Sequence, residues 1–133
     1  MDCSSDEMNQ KLVEEAYAAM KHANAPYSHF RVGAALLTKE GKIFTGCNIE
    51  NASYGATNCA ERTAVFKAVS EGYTQIERIA IVSSSHQKTP PCGICRQFMQ
   101  EFCDTDFKIV SGDDVEHLSV YTLEEILPEG FRL

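Results

Sequence analysis

The sequence predicts an α/β fold, with three α/β/α layers built on a mixed five-stranded sheet. Three features point there. Segments with helical spacing of apolar residues alternate with short, strand-like apolar runs. The run Val32-Gly33-Ala34-Ala35-Leu36-Leu37 is too apolar to alternate, as expected of a strand covered on both faces. Ala60, Ala64 and Ala68 recur every fourth residue, which gives a helix edge thin enough to lie close on a sheet.

The elements follow in order. Ser4-Ser5-Asp6-Glu7 reads as a capping box before Met8, Leu12, Val13, Ala16, Tyr17, Ala19, Met20 and Ala23, whose spacing predicts an amphipathic helix. Pro26 ends it by about Asn24, and Tyr27 to Phe30 connects it to the strand Val32–Leu37. A turn at Lys39–Lys42 leads into a returning antiparallel strand, Ile43–Ile49, and a polar loop covers Glu50–Asn58. A helix from Cys59 to about Glu71 is capped by Gly72. Ile79–Val82 is the third strand, and Ser83–Pro91 a polar loop leading into a helix from Cys92 to about Cys103. Phe107–Val110 and Leu118–Tyr121 are strands around a turn at Gly112–Asp114. A short helix opens at Thr122-Leu123-Glu124-Glu125 and stops at Pro128 and Gly130.

No repeat, linker or low-complexity stretch divides the chain, so residues 1–133 are expected to form one domain. The formal charge is −7, and 12 Lys and Arg residues are scattered among 19 acids. Binding of polynucleotides depends on basic side chains neutralising phosphates, so a nucleic-acid partner is disfavoured. No apolar run approaches a membrane span, and Met1–Gln10 lacks the basic-then-apolar order of a secretory signal. A cytoplasmic protein is expected.

In such a reducing compartment, six cysteines point to metal or catalytic use before disulfides. Cys92 and Cys95 stand at i and i+3, on one face of a helix's first turn, and Cys59 opens another helix. Helix N-termini favour anions, which lowers thiol pKa and suits metal binding. Three thiolates and an open fourth position describe a catalytic zinc; a closed four-ligand site would be structural. Glu61, two residues past Cys59, is placed to move protons at that vacancy. Three thiolates leave the zinc with one net negative charge, which calls for a nearby cation. Of Arg62 and Arg96, Arg62 is the favoured one. Cys-Gly-Ile-Cys could also be a redox pair, but a preceding polar loop, two prolines and the unexplained Cys59 and Glu61 argue against it. Cys47 and Cys103 read as buried structural thiols.

Cys59-Ala60-Glu61 with Pro91-Cys92-Gly93-Ile94-Cys95 resembles the zinc nucleoside and nucleobase deaminases. Pro26-Tyr27-Ser28-His29-Phe30, Gly46-Cys47-Asn48-Ile49-Glu50-Asn51-Ala52, Cys59 to Ala64, and Leu127-Pro128-Glu129-Gly130-Phe131 narrow the likeness to the small homotetrameric cytidine deaminases. The likeness covers nearly the whole chain. It implies a cytidine deaminase-like fold and one Zn²⁺ per subunit, held by Cys59, Cys92 and Cys95, with Glu61 as proton shuttle. It implies hydrolysis of cytidine and deoxycytidine to uridine and deoxyuridine with release of ammonia, as in pyrimidine salvage. Asn48 and Glu50 match the family's sugar-binding pair, Phe30 an aromatic beside sugar and base, and the Ala60 N–H a contact to the pyrimidine carbonyl. Tyr54 and Phe131 match aromatics that reach the site from neighbouring subunits, so a homotetramer with shared sites is implied. Gln97 matches a member of the network around Arg62 and the thiolates. Two other readings stay open: a deaminase of an aminopyrimidine nucleoside antibiotic, and a non-enzymatic zinc-stabilised binding module that would have no use for Glu61.

Overall fold

A strand that is apolar on both faces needs cover on both sides, and that requirement organises the molecule. The computed structural model describes residues 3–85, 93–103, 107–112 and 118–126. Helix α1 (Cys3–Met20) precedes β1 (Val32–Thr38) and β2 (Ile43–Cys47). Then come α2 (Ala60–Ser70), β3 (Ile76–Ser83), α3 (Gly93–Gln100), β4 (Lys108–Gly112), β5 (Leu118–Thr122) and α4 (Leu123–Ile126). The strands form a 5-stranded sheet in the order β2-β1-β3-β4-β5. β3 and β4 run parallel, and the other neighbours are antiparallel. This is the mixed sheet that the sequence predicts.

Alternate residues of the central strands serve opposite layers. Ala35 and Leu37 of β1, Ala80 and Val82 of β3 and Val110 of β4 pack with Leu12, Val13 and Ala16 of α1. Their neighbours Ala34, Leu36, Ile79, Ile81 and Ile109 point the other way, into a core shared with α2, α3 and α4. Two glycines set how closely the helices approach. A Cβ on Gly33 would lie 2.0 Å from the Ala16 carbonyl oxygen, and one on Gly46 would lie 2.5 Å from the Ala64 nitrogen and 2.6 Å from the Ala60 oxygen. Gly46 thus seats the start of α2 directly on β2, which fixes where Cys59 to Arg62 sit.

Several boundaries differ from expectation. α1 already includes Ser4 to Glu7, so these residues are not its start, and its regular turns end at Met20. Bonds from Lys21, His22 and Ala23 back to Ala18, Ala19 and Met20 tighten the exit, and Asn24 then pairs with Ile49. β2 ends at Cys47 because Asn48 turns its side chain onto the backbone of β1, and Ile49 survives as an isolated bridge residue. β3 begins three residues earlier than its apolar run. The charges of Glu77 and Arg78 disguised that start; the two pair at 2.8 Å, and Arg78 also donates to Asn9.

Gly72 closes α2 as expected. With φ +94 it lets Tyr73 N–H reach the Ala68 carbonyl while its own N–H reaches Val69. At α4, Thr122 and Glu125 cap each other, Glu125 N–H donating to the Thr122 hydroxyl and Thr122 donating to the Glu125 carboxylate. Among the described residues no helix is long and apolar enough to cross a membrane. The expected turn at Asp113-Asp114 and the stops at Pro128 and Gly130 lie outside the described residues.

Candidate active site

Of the residues proposed for chemistry, Cys59, Glu61, Arg62 and Cys95 come together where α2 and α3 begin. Cys59 is the N-cap of α2, in extended conformation with φ −77 and ψ 155, and its side chain makes no capping bond. The sulfur instead accepts a hydrogen bond from Arg62 Nη2 at 3.5 Å. Arg62 also interacts with the sulfur of Cys95 in the first turn of α3. Contact with Cys59 foremost holds the guanidinium more firmly protonated than usual. The arginine is therefore a cation set between two thiols from different helices.

Glu61 is 4% exposed, on the same turn as Arg62. Burial pushes its carboxyl above the ordinary carboxylate range, and the Cys59 sulfur adds to the rise. Bonds from its own backbone N–H and from the Cys95 thiol, with the nearby Arg62 charge, oppose it. A carboxyl raised by burial holds a proton more readily than an exposed one, as a proton-transfer group must. Ala60 is fully buried at the first position of α2, where its N–H has no intrahelical partner.

The donor set suits zinc. Cys59 and Cys95 are thiols rather than disulfides, drawn together with a cation and a carboxyl, and the buried Arg62 Nε has no partner among the described residues. Two thiols complete no metal centre, and among the described residues no three His, Cys, Asp or Glu side chains group as one. Cys92 lies outside the described residues. Gln97 lines an exposed groove of about 630 Å³ along α3 with Ile94, Phe98, Glu101 and Phe102.

A second cluster lies beside the first, on loops. Asn48 Oδ1 accepts Val32 N–H at 2.8 Å and its Nδ2 donates to the Phe30 carbonyl at 2.8 Å. Glu50 Oε1 accepts the N–H groups of Tyr27 at 3.0 Å and Ser28 at 3.1 Å, and Oε2 accepts the Ser28 hydroxyl. Bonding to Ser28 above all holds the Glu50 carboxyl below its usual range. Ile49 exchanges two backbone bonds with Asn58, next to Cys59, and Asn24 is bonded to both Asn48 and Glu50. The loop, the polar pair and the start of α2 are one hydrogen-bonded unit.

Phe30 is exposed at the end of that loop. Tyr54 is 80% exposed and meets Tyr27 edge to face, ring centroids 6.4 Å apart. Phe131 lies outside the described residues. Cys103 is buried, but Cys47, read as buried, is only half-buried at the end of β2, where strand cover runs out.

Two contributors had no role in the sequence reading. The Thr63 hydroxyl bonds the carbonyls of Cys47 and Cys59 and accepts from Asn58 Nδ2, stitching β2 to the start of α2. A threonine four residues after a helix N-cap was a visible signal, since its hydroxyl can reach back to the i−4 carbonyl. Gly46 was visible only as a glycine within a strand pattern.

The family described as the cytidine and deoxycytidylate deaminase zinc-binding region matches residues 6–111. The chain is similar to the cytidine deaminase of Halalkalibacterium halodurans, 51% identical over 122 residues that make up 92% of each chain. It is 43% identical to the cytidine deaminase of Sporosarcina psychrophila, over 92% of this chain and 90% of that one. The crystal structure of cytidine deaminase from Burkholderia pseudomallei superposes with a TM-score of 0.84 at 43% identity, covering 98% of this chain and 100% of that one.

Proposed function

The chain belongs to the cytidine and deoxycytidylate deaminase family, and from that premise we propose that it hydrolyses cytidine and deoxycytidine to uridine and deoxyuridine, releasing ammonia. One observation carries the reading beyond kinship. A buried carboxyl, Glu61, and a guanidinium, Arg62, share contact with thiols at the starts of two helices.

Cys59 and Cys95, with Cys92, are the residues that would hold one zinc per subunit; when bound, it supplies the Lewis acidity that makes water a nucleophile at neutral pH. Arg62 offsets the thiolate charge. Burial raises the Glu61 carboxyl above its ordinary range, which favours its acid form, and that form gives its proton to N3 of the pyrimidine, raising the electrophilicity of C4. Glu61 takes a proton back from the attacking water and passes it to the departing amine; as the C4–N bond breaks, the C4 hydroxyl gives up its proton to Glu61, leaving the carbonyl and restoring the acid. The Ala60 N–H holds the pyrimidine carbonyl.

Asn48 and Glu50 hold the sugar, and their hydrogen-bond capacity supports the wider substrate range. An amide offers two N–H donors and two oxygen lone pairs, and a carboxylate about four acceptor sites. One N–H and one lone pair of Asn48 serve Phe30 and Val32, and three sites of Glu50 serve Tyr27 and Ser28. What is left is one N–H and one lone pair on Asn48 and one site on Glu50, enough for a hydroxyl that accepts from Asn48 and donates to Glu50 and for a second that donates to Asn48. The first hydroxyl alone suffices to hold deoxyribose, and the spare lone pair can take the second hydroxyl of ribose. The acidity of Glu50 favours a nucleoside over its 5′-phosphate.

Phe30 packs beside the nucleoside, and Tyr54 and Phe131 complete sites in neighbouring subunits of a homotetramer. Supporting this, exposed apolar surface continues past the site: Tyr54 and Ile49 on the loops, Phe66 on α2 and Ile94 on α3. Phe66, Phe98 and Phe102 form a chain of aromatic contacts along the groove, with centroids 5.4 and 5.3 Å apart. Such a surface is typical of an interface. In this reading residues 1–133 act as one cytoplasmic domain in pyrimidine salvage. Incubating the protein with cytidine and following the loss of ultraviolet absorbance tests the function. Conversion to uridine is expected, and inertness with zinc bound would favour the binding-module reading.

A further inference from the structure

His29 has φ 59, the left-handed backbone conformation that a non-glycine residue rarely adopts. Such a conformation persists when surrounding bonds over-determine it. Here the bonds converge on Ser28 and Phe30. The Ser28 hydroxyl donates to Glu50 Oε2 at 2.5 Å and accepts Phe30 N–H at 3.0 Å. The Ser28 N–H and the Tyr27 N–H both end on Glu50 Oε1. His29 N–H closes the turn onto the Ala25 carbonyl at 3.0 Å. Phe30 is therefore suspended between the two sugar-facing residues, its N–H tied through Ser28 to Glu50 and its carbonyl tied to Asn48.

We propose that Ser28 is a positioning residue for the nucleoside, its single hydroxyl fixing the Glu50 carboxylate and the Phe30 backbone to each other. Two backbone donors fill Oε1, and the serine takes one of the two sites on Oε2. Ser28 thereby determines that the carboxylate presents one remaining acceptor, on one oxygen, to the sugar. Without the hydroxyl the carboxylate gains a second open acceptor and loses its rotational restraint, and Phe30 N–H loses its partner. Among the described residues His29 is the titratable neighbour whose charge acts on this carboxylate, and it reinforces the serine by favouring the ionised form. Ser28 touches no reacting atom in this scheme. Its effect belongs to binding rather than to the proton transfers of Glu61.

The inference rests on the proposed deaminase reading only through the nucleoside, so the test has one arm that needs no substrate. Ser28→Ala and Ser28→Thr are compared with the unaltered zinc-loaded protein, with folding checked by thermal unfolding. In the kinetic arm, Ser28→Ala raises KM for cytidine roughly tenfold, the scale of one hydrogen bond to a charged group. Its kcat stays within about twofold, and Ser28→Thr, which keeps the hydroxyl, recovers most of the KM. In the second arm, NMR titration of the Glu50 carboxyl without nucleoside shows a higher pKa in Ser28→Ala and an unshifted one in Ser28→Thr. An unchanged KM and Glu50 titration in Ser28→Ala overturns the proposal, as does a loss confined to kcat. If the unaltered protein fails to turn over cytidine, the deaminase reading falls, and the titration alone decides whether Ser28 sets the Glu50 carboxylate.

Discussion

The two halves of the candidate site are built by opposite means. Glu61 and Cys95 are buried, sit in first turns of helices and face an arginine. Asn48, Glu50 and Phe30 lie on half-buried or exposed loops and are held by bonds between side chains and backbone. The buried half shifts a carboxyl up by excluding water, and the exposed half shifts one down by surrounding it with donors. A group that must exchange protons gains from a raised pKa. One that must stay anionic and accept a hydroxyl gains from a lowered one. The same side-chain type is thus shifted in opposite directions by its surroundings alone.

Metal removal should separate the halves most sharply. Chelation is expected to abolish cytidine turnover, and added zinc to restore it. The Asn48 and Glu50 bonds, made entirely within the protein, should persist in the stripped form as unchanged amide shifts of Tyr27, Ser28 and Val32. Collapse of those shifts would show that the loop depends on the metal end. A smaller effect is expected from the joint between the halves. Gly46→Ala forces a Cβ against the backbone of α2 and should cost about 1–3 kcal/mol, measured by denaturant unfolding, with loss of activity. Gly55→Ala, in the loop between the halves, meets nothing within 4 Å and should change stability by less than about 0.5 kcal/mol. Equal effects at the two glycines would contradict the close seating of α2 on β2.

The mildest effect concerns pH. The Glu50 carboxyl is depressed in the folded chain, so its contribution to holding the loop is fully present above the unfolded carboxylate value of about 4.3. It is lost as pH falls through the lower folded value. The Glu50 carboxyl carbon shift should therefore be constant near neutrality and move only in acid. A Glu50 titration centred above the ordinary carboxylate range would mean that the donors do not stabilise the anion.

These differences also explain what could be read from the sequence. Alanines at four-residue spacing and an unbroken apolar strand are consequences of packing, so they announced α2 on a two-sided sheet. The i, i+3 cysteines and the glutamate beside Cys59 follow from helix geometry, so spacing pointed to the neighbourhood in which Cys59, Glu61 and Cys95 meet, while Cys92 lies outside the described residues. Asn48, Glu50 and Phe30 carry no such period. Their arrangement depends on backbone groups of residues 27 to 32, distant in sequence, and only the family resemblance singled them out. The role of Ser28 was hidden for the same reason, since a serine after Pro26-Tyr27 reads as ordinary loop chemistry. The ends of α1 and β2 were misplaced because Asn24 and Asn48 leave their elements to bond each other's neighbourhood.

The division of labour between the halves meets its most direct test in the steady-state kinetics of Glu61→Gln on cytidine, measured with zinc content matched to the unaltered protein. The substitution keeps the shape and removes the transferable proton. The expected result is a kcat lower by about 10²–10⁴-fold, with KM within about threefold because the sugar contacts are untouched. A kcat near that of the unaltered protein would contradict the assignment of Glu61 as the proton carrier.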